Sequence, residues 1–269
     1  MIQYLIDAFA DRPFTGNPAC VVAPFDVWPS DAFMQNLAME NNQAETAFLL
    51  RTEDPQRFGL RWFTPTMEVP LCGHATLASA HALFREWGVA ATDLRFDTLS
   101  GELRVRQAND RLEMDFPAYI PIEIPAMSTV VDALSVEPIA LYGGPALIAL
   151  LDCEATVRQI VPDVSRLPAY QGTAYTDRHL VVTAQADANR PYDVVSRLFA
   201  PDMGIPEDPA TGSMHCMLAP LYQSLTGRAV MTYYQAHPRR GAYMQCEVTG
   251  DRVKLRGQAV TVARTELNL

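Results

Sequence analysis

The most promising acid–base residue in this 269-residue sequence is Glu45, which ends the polar segment 41–45 and precedes the apolar segment 46–50. A loop that turns into an apolar strand places its last polar side chain at the mouth of the core. Partial burial there makes a carboxylate a better general base. The alternative is a glutamate that only solvates a loop. Glu45 is therefore a candidate proton carrier.

Two further segments, residues 68–76 and 207–213, each lead into an apolar stretch that begins with glycine and contains small residues. We expect a helix to start at Gly73 and another at Gly212. A helix start presents unpaired backbone N–H groups and the positive end of the helix dipole. Two such ends facing one cleft could hold a carboxylate without Lys or Arg. The alternative is that the Gly, Ser and Thr residues merely cap the helices.

The elements that position these segments occur twice along the chain. Matching pairs of strands, helix starts and hairpins follow one another in the same order. The pairs are residues 16–22 with 143–149, 46–50 with 179–183, 73–80 with 212–219, and 101–114 with 241–255. The spacing between partners increases steadily, as expected of a diverged duplication with small insertions.

This repetition predicts an α+β fold of two similar lobes, each a curved, mostly antiparallel sheet wrapped around a central helix. The prolines of residues 119–125 disfavour helix and favour an extended crossover. We therefore predict lobes at residues 1–118 and 119–258, with a strand at about 259–269 returning to the first lobe. Clefts between lobes are favoured ligand sites, so the three segments are predicted to line one.

Composition argues against several functional classes. The net charge of -10 disfavours binding to nucleic acid or anionic membranes. No apolar run approaches the roughly 20 residues of a membrane span, and the first residues are typical of a strand rather than a signal peptide. Five scattered cysteines without a CxxC pair favour a reducing cytoplasm. Neither a P-loop nor a GxGxxG motif is present.

Four blocks of the sequence, in the same order, resemble the signature blocks of the PhzF-like family of phenazine-biosynthesis isomerases. The blocks are residues 7–19, 45–48, 71–78 and 207–213. The resemblance implies the two-lobe fold of diaminopimelate epimerase and an isomerase that needs neither metal nor organic cofactor. It also implies a homodimer and a small anionic metabolite, a cyclic or unsaturated carboxylic acid, as substrate.

The resemblance also assigns catalytic residues. Glu45 matches the glutamate that shuttles the proton, His74 matches the histidine at the first helix start, and Asp208 matches the acidic residue ahead of the second helix. Glu45 would remove a proton from one carbon of a delocalised system and return it to another. His74 and Asp208 would polarise or orient the substrate.

Substrate-binding positions follow in the same way. Gly73, Gly212 and Ser213 match positions that hold the carboxylate or the ring substituents of the substrate, and Asn17 is a further candidate wall of the cleft. In one departure from the commoner family pattern, Ala44 stands where serine is frequent.

Other functions remain open. A racemase with two cysteine bases would place a thiol at each helix start. Cys72 fits the first start, residues 209–210 offer none, and Cys216 comes about one turn too late. The candidate metal ligands, which fit no strong zinc spacing, are Cys72, His74, His81, His215 and Cys216. A non-catalytic protein that binds a small acid on the same fold is the alternative from a different class.

Overall fold

The structure, a computed structural model, describes residues 1–170, 178–203 and 205–268. The chain divides into two units. The N-terminal unit comprises Met1–Asp115 and Arg256–Leu269, and the C-terminal unit comprises Phe116–Leu255. Leu269, the last residue of the predicted returning strand, lies outside the described residues.

Strands dominate both units. Numbered in chain order, they are β1 (Ile2–Ala8), β2 (Asn17–Val22), β3 (Glu45–Arg51), β4 (Arg57–Phe63), β5 (Glu68–Val69), β6 (Asp93–Thr98), β7 (Gly101–Ala108), β8 (Arg111–Pro117), β9 (Ile122–Ile124), β10 (Ala140–Gly143), β11 (Leu147–Leu150), β12 (Leu180–Gln185), β13 (Val194–Ala200), β14 (Ile205–Asp208), β15 (Val230–Gln235), β16 (Ala242–Thr249), β17 (Arg252–Gly257) and β18 (Ala259–Glu266). The α-helices are α1 (Asp31–Asn41), α2 (Gly73–His81), α3 (Ser128–Leu134), α4 (Glu154–Gln159) and α5 (Gly212–Thr226).

In the N-terminal unit, β1 pairs with both β18 and β2 in antiparallel fashion. Strand β2 then runs parallel to β3, β3 antiparallel to β4, and β4 parallel to β6. The short strand β5 folds back on the end of β4, and β6 continues into the antiparallel strands β7 and β8. The sheet is thus mostly antiparallel, with two parallel pairings.

The C-terminal unit repeats this connectivity. Strand β10 is antiparallel to both β9 and β11, β11 is parallel to β12, and β12 is antiparallel to β13. Strand β14 folds back on β13, β13 runs parallel to β15, and β15 is antiparallel to β16. Both parallel pairings recur at the corresponding places, as a duplicated unit requires.

One buried helix lies at the centre of each repeat. In the N-terminal unit α2 packs against β1, β2, β3, β7 and β18, and every residue from His74 to Ala80 is buried. Burying a leucine such as Leu77 stabilises the fold by about 1.5–3 kcal/mol. In the C-terminal unit α5 packs against β16 and buries its residues 214–222. The predicted α+β fold class is confirmed.

Glycines end both helical segments, as the sequence predicts. A π-helical turn, Ala82–Glu86, extends α2, and Gly88 follows with a φ of 64°. Helix α5 ends at Gly227, whose φ is 76°. A left-handed conformation costs glycine little because it has no Cβ.

Three further helices were not predicted. Helix α1 begins after Ser30, whose side chain accepts a hydrogen bond from the Phe33 amide. Few residues of this helix are buried, so its apolar face is narrow. Helices α3 and α4 have 7 and 6 residues, too few for a clear helical period. The predicted crossover at residues 119–125 also contains the short strand β9. Among the described residues, no helix is long and apolar enough to span a membrane.

Candidate active site

Glu45 and His74 meet where β3 begins and α2 starts. Glu45 is the first residue of β3, and the parallel pairing with β2 sets it opposite Ala19. His74 is the second residue of α2. Glu45 Oε2 lies 2.9 Å from His74 Nε2, and the two side chains are only 10% and 8% exposed. The atoms are at ion-pair distance without the alignment of a hydrogen bond, so the contact is chiefly electrostatic.

The other ring nitrogen of His74 faces Asn17 and Cys72. Asn17 is the first residue of β2 and fully buried, and its Nδ2 lies 3.2 Å from His74 Nδ1. The Sγ atom of Cys72 lies 3.5 Å from the same nitrogen. An amide nitrogen can only donate. In the neutral ring Nδ1 is therefore an acceptor and the proton sits on Nε2, facing Glu45, whereas in the cationic ring Nδ1 also carries a proton and donates to the Cys72 sulfur.

Opposing effects set the charge of His74. Burial lowers its pKa, while the Cys72 sulfur and the Glu45 carboxylate raise it, and the net direction is well above the ordinary 6.5. Burial, followed by the negative charge of Glu45, raises the pKa of the Cys72 thiol. Such a thiol is uncharged at neutral pH. The Glu45 carboxylate is therefore the anion that supports a cationic His74.

The start of α2 has no side-chain cap. Cys72 is the N-cap residue, but its side chain makes no capping hydrogen bond. The hydroxyl of Thr76 donates to the Cys72 carbonyl at 2.6 Å. Gly73, the first helical residue, is half-buried and brings no side chain to the tip. An uncapped helix start of this kind can accept a carboxylate.

The start of α5 has the same property. Its N-cap residue, Thr211, makes no side-chain capping bond, because its hydroxyl donates instead to Oδ2 of Asp208. Gly212 and Ser213 are the first two helical residues, and Ser213 is half-buried. Neither N-cap residue makes a side-chain capping hydrogen bond.

Gln235, at the end of β15, fixes the approach to α5. The side chain is fully buried. Its Oε1 accepts from the Thr211 amide at 2.7 Å, and its Nε2 donates to the Asp208 carbonyl at 2.7 Å. Gln235 thereby orients both Asp208 and the helix start. Sequence reasoning missed this role because the two segments are distant along the chain and meet only through the parallel pairing of β13 and β15.

A bidentate arginine–glutamate ion pair stabilises the short strand that precedes each of the helices α2 and α5. Arg61 donates to both carboxylate oxygens of Glu68, at 2.7 Å each. Arg197 does the same to Glu207, at 2.7 and 2.8 Å. Bidentate pairs of this kind fix geometry as well as charge. Sequence reasoning also missed these pairs, although each glutamate stands at the same spacing before the first helical glycine.

The two pairs differ in burial. The Arg197 side chain is 5% exposed and also donates to the carbonyls of Val157 and Ile160 at the end of α4, at 3.0 and 2.7 Å. The Arg61 side chain is 20% exposed and also contacts Asp31 at 2.9 Å. Glu207 thus has a structural role in its ion pair with Arg197. Asp208 is the acidic residue that contacts the start of α5.

The predicted site residues fall into two groups, one in each unit. In the N-terminal unit the structure brings together Glu45, His74 and Asn17, with Gly73 at the adjoining helix start. In the C-terminal unit, Asp208, Gly212 and Ser213 adjoin one another around Thr211.

Three of the residues in the thiol-pair and metal alternatives lie away from Glu45. His81 Nε2 lies 3.1 Å from Thr261 Oγ1. His215 Nδ1 lies 2.8 Å from the Thr211 carbonyl, and burial lowers the pKa of His215 to about 4. Cys216 is 1% exposed, inside α5. In the described part of the chain, the possible metal ligands that do converge are Glu45, Cys72 and His74.

Comparison with known proteins places this geometry in a family. A Pseudomonas aeruginosa protein named as an uncharacterized isomerase is 42% identical over 268 residues, which cover 98% of this chain and 97% of that protein. A crystal structure of a PhzF-family phenazine biosynthesis protein from Enterococcus faecalis matches with a TM-score of 0.92 at 40% identity, and covers 100% of this chain and 99% of the other.

More distant structures share the fold alone. A probable proline racemase from Agrobacterium radiobacter matches with a TM-score of 0.60 at 13% identity, over 100% of this chain and 93% of the other. The sequence profile of the family described as phenazine biosynthesis-like protein, PhzC-PhzF, matches residues 6–265. On these grounds, the chain belongs to the phenazine biosynthesis-like family.

Proposed function

We propose that this protein is an isomerase that moves a proton between two carbons of a small cyclic or unsaturated carboxylic acid, with Glu45 as the proton carrier. The observation that carries the proposal is the 2.9 Å approach of Glu45 Oε2 to His74 Nε2. Relatives at 42% and 40% identity that are named isomerases support the reaction class.

The pair is suited to hold a base ready for use. His74, whose pKa is raised by the neighbouring carboxylate against the effect of burial, places a positive charge beside Glu45 Oε2. Because Oε2 of Glu45 is turned toward His74, Oε1 is the oxygen proposed to take the proton. A positioned general base of this kind contributes about 10²–10⁴-fold in rate.

The proposed reaction has two steps. Glu45 removes a proton from one carbon, and the electron pair of the broken C–H bond spreads over the conjugated system of the substrate. The pair of Glu45 and His74 then carries one more positive charge, which faces the negative charge developed on the substrate. Glu45 returns the same proton to a second carbon and is again a carboxylate.

The helix starts are proposed to hold the substrate. Backbone N–H groups at Gly73, and at Gly212 with Ser213, would bind its carboxylate. One helix end favours an anion by about 0.3–1 kcal/mol, and by up to about 2 kcal/mol when partly buried. Asp208, held by Thr211 and Gln235, would accept a hydrogen bond from a polar substituent and so orient the substrate.

The remaining features of the proposal rest on the sequence. Glu45 supplies both the base and the acid, so the reaction as written needs neither metal nor organic cofactor. The family resemblance suggests a homodimer, and the five thiols suggest the cytoplasm as its compartment.

The test is hydrogen–deuterium exchange followed by NMR over a panel of cyclic and conjugated carboxylic acids in D₂O. Wild type should place deuterium on carbon in at least one compound. Glu45→Gln should slow that exchange by about 10²–10⁴-fold. Glu53→Gln, a change of the same type at an exposed position, is the matched control and should exchange at the wild-type rate.

Each alternative has its own outcome. Exchange that survives Glu45→Gln contradicts the assignment of the proton carrier, and its loss in Cys72→Ser would favour a thiol base and an epimerase. Binding of acids without exchange across the panel would favour the non-catalytic binding protein. Exchange abolished by a chelator would contradict metal independence.

A further inference from the structure

We infer that Glu45, Cys72 and His74 form a binding site for a thiophilic divalent cation such as Zn²⁺, and that the bound ion blocks Glu45. One donor atom from each side chain lies within 4.8 Å of the others, and all three residues are buried. The site would regulate or inhibit the protein rather than serve its chemistry.

The donor spacing suits a small tetrahedral ion. Zinc bonds of about 2.0–2.3 Å set neighbouring donors about 3.3–3.8 Å apart. The contact from Glu45 Oε2 to His74 Nε2 is 2.9 Å, and that from Cys72 Sγ to His74 Nδ1 is 3.5 Å. These contacts use different ring nitrogens. To bind the ion through a single ring nitrogen, the side chains must rotate. The donor atoms, which now lie within 4.8 Å of one another, must come closer by about 1 Å to reach the spacing of a zinc site.

The donor types select the ion. A sulfur, an imidazole nitrogen and a carboxylate oxygen are the ligands of zinc sites, and three protein ligands leave the fourth position open. Calcium and magnesium prefer sets made of oxygen alone, and a thiolate disfavours them. Binding would release the proton of the Cys72 thiol to solvent, and the thiolate and the carboxylate would then together carry two negative charges. A divalent ion would neutralise both, which lowers the cost of keeping them buried.

Two buried atoms lack aligned partners at this place. Glu45 Oε2 and His74 Nε2 are inaccessible to solvent and make no hydrogen bond of good geometry, although they face each other. A cation that binds here would displace the Nε2 proton to solvent and then accept a lone pair from each of the two atoms.

The consequence for function follows from electron pairs. A carboxylate whose lone pair is donated to a cation is a weaker base, and the ion occupies the space beside it. This part of the inference rests on the proposed function, whereas the binding itself does not.

The test is spectroscopic and requires no substrate. Chelator-treated, folded full-length protein is titrated with Co²⁺. We expect saturation near one equivalent, with tetrahedral d–d bands and a thiolate-to-cobalt charge-transfer band, both abolished by Zn²⁺. Cys72→Ser should remove the charge-transfer band and weaken binding by more than about tenfold, since loss of even a second-layer group costs 10–100-fold.

Two serine variants serve as controls. Cys20→Ser changes a buried thiol of the same unit, and Cys153→Ser changes a more exposed thiol. Both should keep the wild-type bands. If circular dichroism shows that Cys72→Ser is unfolded, Glu45→Gln and His74→Gln replace it, and both should bind Co²⁺ more weakly than wild type.

Three results would overturn the inference. They are the absence of a saturable band in wild type, a charge-transfer band that persists without Cys72, and a band that disappears with Cys153 instead. Once exchange activity is found, Zn²⁺ should stop it and a chelator should restore it. Zinc that binds while exchange continues would refute the blocking effect alone.

Discussion

His74 Nε2 lies 2.9 Å from Glu45 Oε2, so the Glu45 carboxylate acts directly on the charge of His74. Replacing Glu45 by Gln removes the carboxylate, while the burial that lowers the pKa of His74 remains. We therefore expect the pKa of His74 to be lower in Glu45→Gln than in wild type. Histidine titration by NMR measures it, with Glu53→Gln as the control. An unchanged His74 titration would contradict the coupling.

The same pair makes stability depend on pH. The pKa of His74 is higher in the folded protein than the ordinary 6.5 of an unfolded chain. Its contribution is therefore fully present below about pH 6.5 and is lost as the pH rises through the folded value. Denaturant unfolding at increasing alkaline pH should show a steeper loss in wild type than in His74→Gln. Parallel curves for the two proteins would refute this assignment.

His215 should have the opposite effect. Burial lowers its pKa to about 4, so the unfolded chain binds more protons below pH 6.5 and stability falls as the pH falls. Between about pH 7 and pH 5, wild type should lose about 2 kcal/mol more unfolding free energy than His215→Leu. Urea unfolding of both proteins at both pH values measures this difference. Equal losses would mean that His215 is not buried as a neutral ring.

The arginine–glutamate pairs should differ in their contributions. Arg197→Ala leaves Glu207 and two carbonyls at the end of α4 without their donor, and should cost about 3–5 kcal/mol of unfolding free energy. Arg61→Ala should cost less because its pair is more exposed. Arg57→Ala, which removes a surface pair with Asp97, is the control with the smallest expected loss. Urea unfolding ranks the three, and a reversed order would contradict this account.

Gly16 should tolerate a methyl group worse than Gly88 does. The two have almost the same φ, 63° and 64°, so alanine meets the same backbone strain at both. A Cβ on Gly16 would collide with the carbonyl oxygen of Ala8, whereas a Cβ on Gly88 would meet no atom within 4 Å. We expect Gly16→Ala to be less stable than Gly88→Ala by at least about 1 kcal/mol. Thermal unfolding of both measures the difference, and equal losses would argue against the collision.

Local sequence patterns were enough to predict many features of the fold. The polar-to-apolar change at Glu45 marks the start of β3, and the glycines at positions 73 and 212 mark the starts of α2 and α5. The duplication was visible because matching segments kept their order. Spacing alone did not reveal the parallel pairing of β2 with β3, which sets Glu45 beside Ala19.

The contacts around the candidate site depend on strand register and could not be predicted. Gln235 reaches Thr211 only because β15 runs beside β13. Likewise, Asn17 and Cys72 adjoin one ring nitrogen because β2 begins next to the start of α2. A sequence suggests which residues are chemically able, but cross-strand neighbours follow from pairings far apart along the chain.

Strand β1 lies between β2 and β18, and β18 follows the whole C-terminal unit along the chain. During synthesis, one edge of β1 therefore stays unpaired until β18 has been made. The C-terminal unit is continuous in sequence and can close earlier. The N-terminal unit, which carries Glu45, is thus synthesised first, but its sheet is completed only by the last strand.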